Sequence, residues 1–291
     1  MDRSAESRTL IQFPRSTGLQ HARITGRGYE FGEKNEYRIR VASAVDERIA
    51  AWRLVRTVYE GMHYAPHDGS DLWYGIHDAI PSTTTFAAGR RGDMVAALSL
   101  VFDGPMGLPA DALFGAETRT MRRQGKRLCE IVSLVNTEKR LGAKIELLKH
   151  MFKLAYVTAR ELEGATDFII TVNPHHVAYY RRALLFGVRG GEKTYEKVSG
   201  APAVLLGLDL RGAETTYRER FDHLPGEKNF YRFFKADLDR IGAWLNTQRR
   251  PLRVEDVVAR FIIQDPPLGP VTPGQRAYVR TLARTAMRRG A

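Results

Sequence analysis

A single carboxylate interrupts an otherwise apolar, strand-like segment near the middle of the chain. This residue, Glu130, lies within residues 128–135, where strand alternation places the even-numbered side chains on one face unless a bulge changes the register. A carboxylate in such apolar surroundings is costly unless it has a partner or a chemical role. The sequence therefore leaves two interpretations open: a catalytic base, or a buried glutamate paired with Arg127 or Arg122.

Two tyrosines and a histidine-containing segment are the other features whose residue types suggest chemistry. Tyr179 and Tyr180 lie in a predicted helix, where a hydroxyl can donate a proton or the rings can pack the helix on a sheet. Residues 62–82 hold three histidines and three aspartates without clear periodicity, which favours a substrate-covering loop or plain surface over a zinc site. Cys129 is predicted to be a small buried hydrophobe. No metal is expected.

The centre of the chain alternates between strand and helix patterns. A strand at 128–135 is followed by a helix at 141–162, a buried strand at 167–172 and a helix at 174–186. This order requires a parallel central pair of strands. The other predicted elements are, in chain order, a strand at 37–42, a helix at 45–61, a hairpin of 83–88 with 94–102, a helix at 110–124, and strands at 194–198 and 203–210. The fold class is α/β.

Three regions follow from this pattern. Residues 1–36 show little periodicity and are predicted to form a flexible arm. Residues 37–210 form the α/β domain. Residues 211–291 are predicted to form a basic helical appendage packed on that domain, with helices at 230–245 and 275–287.

Composition limits the function classes. The 291 residues include 45 Lys and Arg against 33 Asp and Glu, a net charge of +12 that implies an acidic partner such as nucleic acid, anionic lipid or an acidic protein. The lone cysteine excludes an internal disulfide, and no apolar stretch approaches the ~18 residues needed to cross a bilayer. A cytoplasmic location is expected. Dispersed arginines and the lack of a recognised nucleic-acid-binding motif disfavour a nucleic-acid-binding module.

Several segments together resemble the N-acyl amino acid synthases of the FeeM type, relatives of the acyl-homoserine-lactone (AHL) synthases and of exosortase-associated acyltransferases. The resemblance covers roughly residues 37–210 and is carried by Leu98–Gly104, Gly107–Pro109 with Leu113-Phe114, Arg122–Val135, Asn173–His176 with Tyr179-Tyr180, and Pro202–Leu210. It implies a mixed sheet flanked by helices, like that of the Gcn5-related N-acetyltransferases (GNAT). It also implies transfer of a long-chain acyl group, from acyl carrier protein or acyl-coenzyme A, to the amine of an amino acid.

The resemblance implies roles for individual residues. Glu130 stands where the AHL synthases carry a catalytic glutamate, and Tyr180 aligns with a tyrosine near the departing sulfur. Ser133 stands where relatives usually carry arginine in a Glu-x-Ser-Arg pattern, which disfavours the alternative of AHL-type lactone synthesis. The thioester is expected in a splay between the strands at 128–135 and 167–172. Its pantetheine arm would pair with the backbone of four residues: Val132, Ser133, Leu134 and Val135.

The remaining expectations concern phosphate, substrate and partner. Part of the acetyltransferase pyrophosphate-loop pattern survives at the next helix start, where one phosphate of phosphopantetheine would bind: Arg140, Gly142 and Lys144. The residues expected at the substrates are Trp73, Tyr74, Asn173 and Tyr179. Acyl carrier protein is expected to dock on a basic surface: Arg119, Arg122, Arg123, Lys126, Lys139, Arg140 and Lys144. No tightly bound cofactor and no nucleic acid are expected, while peripheral lipid contact stays open.

A long acyl chain also requires an apolar tunnel, because each exposed methylene loses roughly 0.8 kcal/mol of possible burial. Its walls are expected from the splayed strands, from a lid near Trp73, and from the appendage helix that contains Phe230, Phe233, Phe234 and Trp244. This tunnel is expected to open near Glu130.

Overall fold

A nine-stranded mixed sheet runs through the protein, for which a computed structural model describes residues 22–66, 68–250, 253 and 271–289. The strand order is β1-β2-β3-β4-β5-β6-β7-β9-β8, and only the β6–β7 pair is parallel among the described strands. The strands are β1 (Arg23–Thr25), β2 (Gly28–Phe31), β3 (Tyr37–Val41), β4 (Thr84–Arg90), β5 (Asp93–Phe102), β6 (Leu128–Asn136), β7 (Asp167–Val172), β8 (Gly187–Tyr195) and β9 (Ala201–Asp209). The predicted parallel central pair is thus confirmed.

Helices cover both faces of this sheet. They are α1 (Val45–Gly61), α2 (Ile76–Ala79), α3 (Asp111–Arg123), α4 (Leu141–Tyr156) with a π-helical continuation (Val157–Leu162), α5 (Pro174–Ala183), α6 (Ala213–Phe221), α7 (Phe230–Lys235), α8 (Leu238–Gln248) and α9 (Pro273–Arg289). Local sequence explains several ends: Gly125, with φ of +74°, follows α3, and the Asn173 side chain caps α5 ahead of Pro174.

The two faces of β6 and β7 contact different helices. Cys129 and Phe168 belong to the core cluster that includes α4, α5 and α8, whereas Leu128 and Ile169 pack with α3. This alternation is the one predicted from the sequence, and it confirms Cys129 as a buried hydrophobe. Because Glu130 follows Cys129, its side chain lies on the α3 face.

The N-terminal boundary differs from the predicted one. A flexible arm was expected over residues 1–36, but β1 and β2 form a hairpin that extends the sheet, and Tyr29 and Phe31 are buried against α4. Two buried aromatics two positions apart are a weak strand signal amid glycines and charges, so pairing with β3 decides the structure here. Residues 1–21 of the predicted arm lie outside the described residues.

The C-terminal helices pack on the sheet rather than apart from it. Ile241, Trp244 and Leu245 of α8 belong to the same core cluster as α4. The single helix predicted at 230–245 is two helices, because Asp237 adopts a left-handed conformation with φ of +57° between them. In α9, Val279 packs on Ile76 of α2. Within the described ranges, no helix combines the length and hydrophobicity needed to cross a bilayer.

Candidate active site

The parallel strands β6 and β7 separate beyond a defined point. Their paired residues run from Leu128 opposite Asp167 to Ile131 opposite Ile170, yet β6 continues to Asn136. On its other edge β6 remains paired with β5. The backbone of residues 132–135 therefore has no β7 ladder partner, which is the splay that the family resemblance implies.

A bulge lies where the strands separate. The β5–β6 register shifts between Ala97 and Ser99, and Ser133 adopts φ of +52°, a conformation uncommon for residues other than glycine. Its hydroxyl donates to Asp78 Oδ1 at 3.1 Å. Beyond the bulge, Leu134 packs on the α4 side and Val135 on the α1 side, so the register switches as the sequence analysis allowed.

Glu130 lies in β6, three residues before Ser133, and is only 2% exposed. Its Oε2 accepts a hydrogen bond from the backbone N–H of Ala110 at 2.8 Å, at the start of α3. Burial raises the pKa of Glu130 to about 8, and the nearby Asp111 charge adds to this effect while the Ala110 N–H opposes it. A carboxyl group with this pKa can exchange a proton near neutral pH.

The predicted alternative, an ion pair with an arginine, does not form among the described residues. Arg122 instead pairs with Asp103 at 2.6 Å and with Asp111 at 2.8 Å. Arg127 makes no ion pair with Glu130 either. Glu130 is thus a buried carboxyl group held by a backbone N–H rather than by a cation.

Two further charged side chains act electrostatically on this carboxyl group, and its own charge acts on a tyrosine. The charge of Lys197 lowers the pKa of Glu130, whereas that of Asp78 raises it. Burial, followed by the charges of Glu130 and Tyr59, raises the pKa of Tyr195, so its hydroxyl stays protonated. With Asp111, the groups that interact electrostatically here are three carboxyl groups, one ammonium group and a phenol.

A buried arginine fixes the segment that carries Asp78. Arg48 of α1 donates to the carbonyl oxygens of Ala42 at 2.7 Å, Asp78 at 3.3 Å and Thr83 at 2.5 Å. Asp78 Oδ2 in turn accepts from the backbone N–H of Gly75 at 2.8 Å. These bonds hold α2 against the sheet and determine where Asp78 meets Ser133.

The predicted phosphate-binding residues have unequal environments. Arg140 precedes α4 and bonds Glu36 and the Tyr37 hydroxyl, both at 2.9 Å, and it also lies 3.5 Å from Glu138. Burial alone would raise the pKa of Glu138, but the Tyr37 hydroxyl, the Arg140 backbone N–H and the Arg90 charge lower it to about 2. Arg140 is therefore neutralised locally, while Lys144 and Gly142 remain half-buried in the first turn of α4.

The tyrosines and Asn173 have clear structural contacts. Tyr180 is buried in edge-to-face contacts with Phe152 and Phe186, and burial raises its pKa. Tyr179 packs beside it, and its buried hydroxyl has no hydrogen-bond partner among the residues that the structure describes. Asn173 caps α5 by accepting from the His175 N–H at 3.1 Å. These contacts account for packing and capping; a role of the three at substrate stays a prediction.

The two residues predicted as a lid are buried. Tyr74 stacks on Trp52 with ring centroids 4.4 Å apart, and Trp73 packs with Val55 and Val135. Trp73 therefore packs in the same cluster as Val135, the last of the four β6 residues 132–135 that have no β7 partner. Residue 67 of this segment lies outside the described residues, and among the others no group of His, Cys, Asp and Glu side chains is arranged to hold a metal.

The described cavities do not open at Glu130. One is largely apolar and lies on the opposite, α4 face, between α4, β7, β9 and the C-terminal helices; its walls include Phe152, Phe168, Phe186 and Phe234. Of the four aromatic residues predicted to line a tunnel, Phe234 lines this cavity and Phe233 lines a second one, whereas Phe230 and Trp244 are buried in the core. A tunnel mouth at Glu130 stays a prediction.

The predicted basic surface divides into two groups. Arg119, Arg122, Arg123 and Lys126 precede β6, whereas Lys139, Arg140 and Lys144 follow it. A nine-residue strand is about 30 Å long, so the groups lie at opposite ends of β6 rather than around one entrance. In the first group Lys126 also pairs with Asp167 at 2.6 Å.

Asp78, Lys197 and Tyr195 were not among the candidate residues from the sequence. Asp78 was weighed only as one of several acidic residues near histidines, although a carboxylate between the apolar Ile76 and Ile80 is a signal comparable to that of Glu130. The sequence does not mark Lys197 and Tyr195 in this way, because they lie in a polar segment at the end of β8. Their interaction with Glu130 depends on the folded arrangement.

The comparisons with known proteins cover this site. The sequence profile described as N-acyl amino acid synthase FeeM matches residues 50–209, more than half of the chain. The structure of FeeM, from uncultured soil microbes, is 28% identical in sequence with a TM-score of 0.53, and the match covers 62% of this chain and 94% of that one. No curated protein sequence matches the chain.

Two other solved structures match the chain at lower similarity. An acyl-CoA N-acyltransferase from Pseudomonas aeruginosa is 19% identical with a TM-score of 0.40, covering 59% of this chain and 97% of that one. The AHL synthase LasI is 12% identical with a TM-score of 0.43, covering 60% and 89%. The architecture is a GNAT-like mixed α/β sheet with additional C-terminal helices. The chain therefore belongs to the FeeM family of N-acyl amino acid synthases and is an N-acyltransferase with an acyl-thioester donor and an amino acid acceptor.

Proposed function

We propose that this N-acyltransferase moves a long-chain acyl group from acyl carrier protein to the amine of an amino acid, with Glu130 as the general base. The observation that carries this proposal is a buried carboxyl group, with a pKa raised to about 8 and no ion-pair partner among the described residues, directly before the point where β6 and β7 separate. Thioester aminolysis needs a neutral amine, so a base must remove a proton from an ammonium group.

The reaction releases one proton overall. The ammonium group first loses a proton to Glu130, which passes it to solvent. Glu130 then accepts a second proton as the nitrogen bonds to the thioester carbonyl carbon, and collapse of the tetrahedral intermediate breaks the carbon–sulfur bond. The departing thiolate takes a proton from the Tyr180 hydroxyl, and Tyr180 regains a proton as Glu130 gives one up, so both residues return to their starting states. Backbone N–H groups of residues 132–135 on the edge that has no β7 partner stabilise the oxyanion, since preorganised donors act strongly where water is excluded.

The acceptor is recognised by opposite charges. Asp78 and Glu130 provide two carboxyl groups for the amine, and Lys197 provides a cation for the carboxylate of the amino acid. The side chain of Ser133, where relatives carry arginine, is occupied by its bond to Asp78, so Ser133 acts here by positioning Asp78.

The donor lies along the splay. Its pantetheine arm pairs with the backbone of Val132, Ser133, Leu134 and Val135, and its phosphate lies at the first turn of α4 near Gly142, Lys144 and Lys139. The acyl chain passes between the separated strands to the apolar cavity of the α4 face, whose wall residues Phe152 and Phe186 contact Tyr180.

The pH dependence of turnover tests the Glu130 environment. In the wild type, kcat/KM should rise with pH and level off above about 8, because Glu130 must lose its proton to act as a base. Asp78→Asn should move this inflection to lower pH, since it removes a charge that raises the pKa. Lys197→Met should move it to higher pH. Inflections that do not move, or that move in the same direction, would exclude Glu130 as the titrating group.

Donor selectivity tests the carrier-protein part. Lys139→Glu should raise the KM for acyl carrier protein about tenfold, because reversing a charge at the thioester end repels an acidic protein. Arg123→Glu, at the other end of β6, serves as the matched variant and should change this KM less than twofold. A larger effect of Arg123→Glu than of Lys139→Glu would place carrier-protein docking at α3. If the wild type and both variants used acyl-coenzyme A as well as they use acyl carrier protein, the carrier protein would have no specific part in the reaction.

A further inference from the structure

A second cavity lies on the α4 side of the sheet, away from Glu130. Its volume is about 250 Å³, and its walls come from β1, β2, α4, α7 and α8. Apart from His150 and Lys153, the residues that line it lie outside residues 50–209 that match the FeeM profile. The acyl transfer proposed above makes no use of this cavity.

A buried ammonium group forms part of the cavity wall. Lys153 is 4% exposed, and its Nζ donates to the Phe233 carbonyl oxygen at 2.7 Å and lies 4.9 Å from the centre of the Phe233 ring. Within the described residues, no carboxylate lies within ion-pairing distance of this Nζ. Lys149, one turn earlier, shows the usual arrangement, because it pairs with Glu146 at 2.6 Å.

Other groups around the cavity add positive charge. Arg240 is exposed at the cavity, and Arg232 lines it while pairing with Asp222 at 3.5 Å. Asp237 is the carboxylate in the lining. His150 is neutral, because burial and then the neighbouring lysines hold its pKa well below the usual range. An anion is thus favoured, and the Asp237 charge works against one with two negative charges.

The rest of the wall is apolar. Ala22, Ile24, Phe233 and Ile241 line the cavity next to the charged groups. A ligand that satisfies both parts of the wall has one anionic group and an apolar body. A cavity of about 250 Å³ is large enough for a small organic ligand.

We propose that this cavity binds a small apolar monocarboxylate, whose carboxylate pairs with Lys153 and Arg240 and whose body lies against Ile24, Phe233 and Ile241. The site is distinct from the acyl-transfer site and is built mainly by residues that this chain has in addition to the family segment. A bound carboxylate gives the buried Lys153 ammonium group an opposite charge, which no described residue provides within ion-pairing distance.

Isothermal titration of the full-length protein tests this site with three probes. Hexanoate has the charge and the apolar body, 1-hexanol has only the body, and inorganic phosphate has only the charge. Hexanoate should bind one site at least tenfold more tightly than either of the others. Equal affinity for hexanoate and hexanol, or tighter binding of phosphate, would overturn the proposal.

Matched variants on one helix locate the binding. Lys153→Met should weaken hexanoate binding at least tenfold, whereas Lys149→Met, equally buried but outside the cavity wall, should change it less than twofold. Arg240→Ala changes an exposed side chain, so it provides the test if Lys153→Met does not fold. This variant should weaken hexanoate binding at least threefold. Unchanged binding in Arg240→Ala, or equal losses in the two lysine variants, would contradict the assignment.

Discussion

Replacing Glu130 with glutamine is expected to lower acyl transfer by about 10²- to 10⁴-fold, the range typical of lost acid–base catalysis. Glutamine keeps the shape of the side chain and its ability to accept the Ala110 N–H, but it cannot take a proton. The loss should appear in kcat, because the amine still binds while its deprotonation is impaired. Steady-state kinetics with a single acyl donor measures the effect.

A stability measurement separates this effect from unfolding. Because burial raises the pKa of Glu130 above its unfolded value, the folded protein loses stability as pH rises towards about 8 and the buried group ionises. Glu130→Gln lacks this ionisation, so its melting temperature should equal or exceed that of the wild type at pH 8. Glu161→Gln, an exposed change, should leave both turnover and melting unaffected. Near-full turnover of Glu130→Gln would show that Glu130 is not the general base.

Replacing Arg48 with methionine should reduce the free energy of unfolding by about 3 to 5 kcal/mol. Three carbonyl oxygens, of Ala42, Asp78 and Thr83, would lose their donor inside the protein. Methionine fills much of the volume, so lost hydrogen bonds rather than an empty cavity account for the change. Turnover should also fall in the folded fraction, because Asp78 is no longer held at Ser133.

The matched control lies on the same helix. Arg53 is exposed and pairs with Asp71 at 2.9 Å, so Arg53→Met should change the free energy of unfolding by no more than about 0.5 kcal/mol. Urea unfolding of both variants gives the comparison. Equal stabilities of the two variants would show that the Arg48 bonds do not hold the α2 segment.

Periodic apolar sequence was enough to predict the central elements. The helix at 45–61 and the strand at 167–172 have the predicted bounds, because an amphipathic stripe and a continuous apolar run are strong local signals. The strand β8 was predicted only at its end, since Gly187–Tyr195 is rich in glycine and charge. Its strand conformation comes from pairing with the apolar β9, which no local pattern encodes.

The candidate site shows the same limit. Glu130 was identifiable because it is a carboxylate within an apolar strand, and its exposure of 2% confirms the burial. The pairing of Arg140 with Glu36 joins residues far apart in sequence and was not foreseeable from the phosphate-loop pattern. Asp78 and Lys197 reach Glu130 from separate segments, so their effect on its pKa depends on the folded arrangement alone.

The most direct measurement of the central claim is mass spectrometry of lipids from cells that overproduce the protein, compared with cells that overproduce Glu130→Gln at equal protein levels. The account predicts new N-acyl amino acids with long acyl chains in the wild-type extract and their loss in the variant extract. Wild-type extracts without any N-acyl amino acid, or equal amounts of it in the two extracts, would contradict acyl transfer by Glu130.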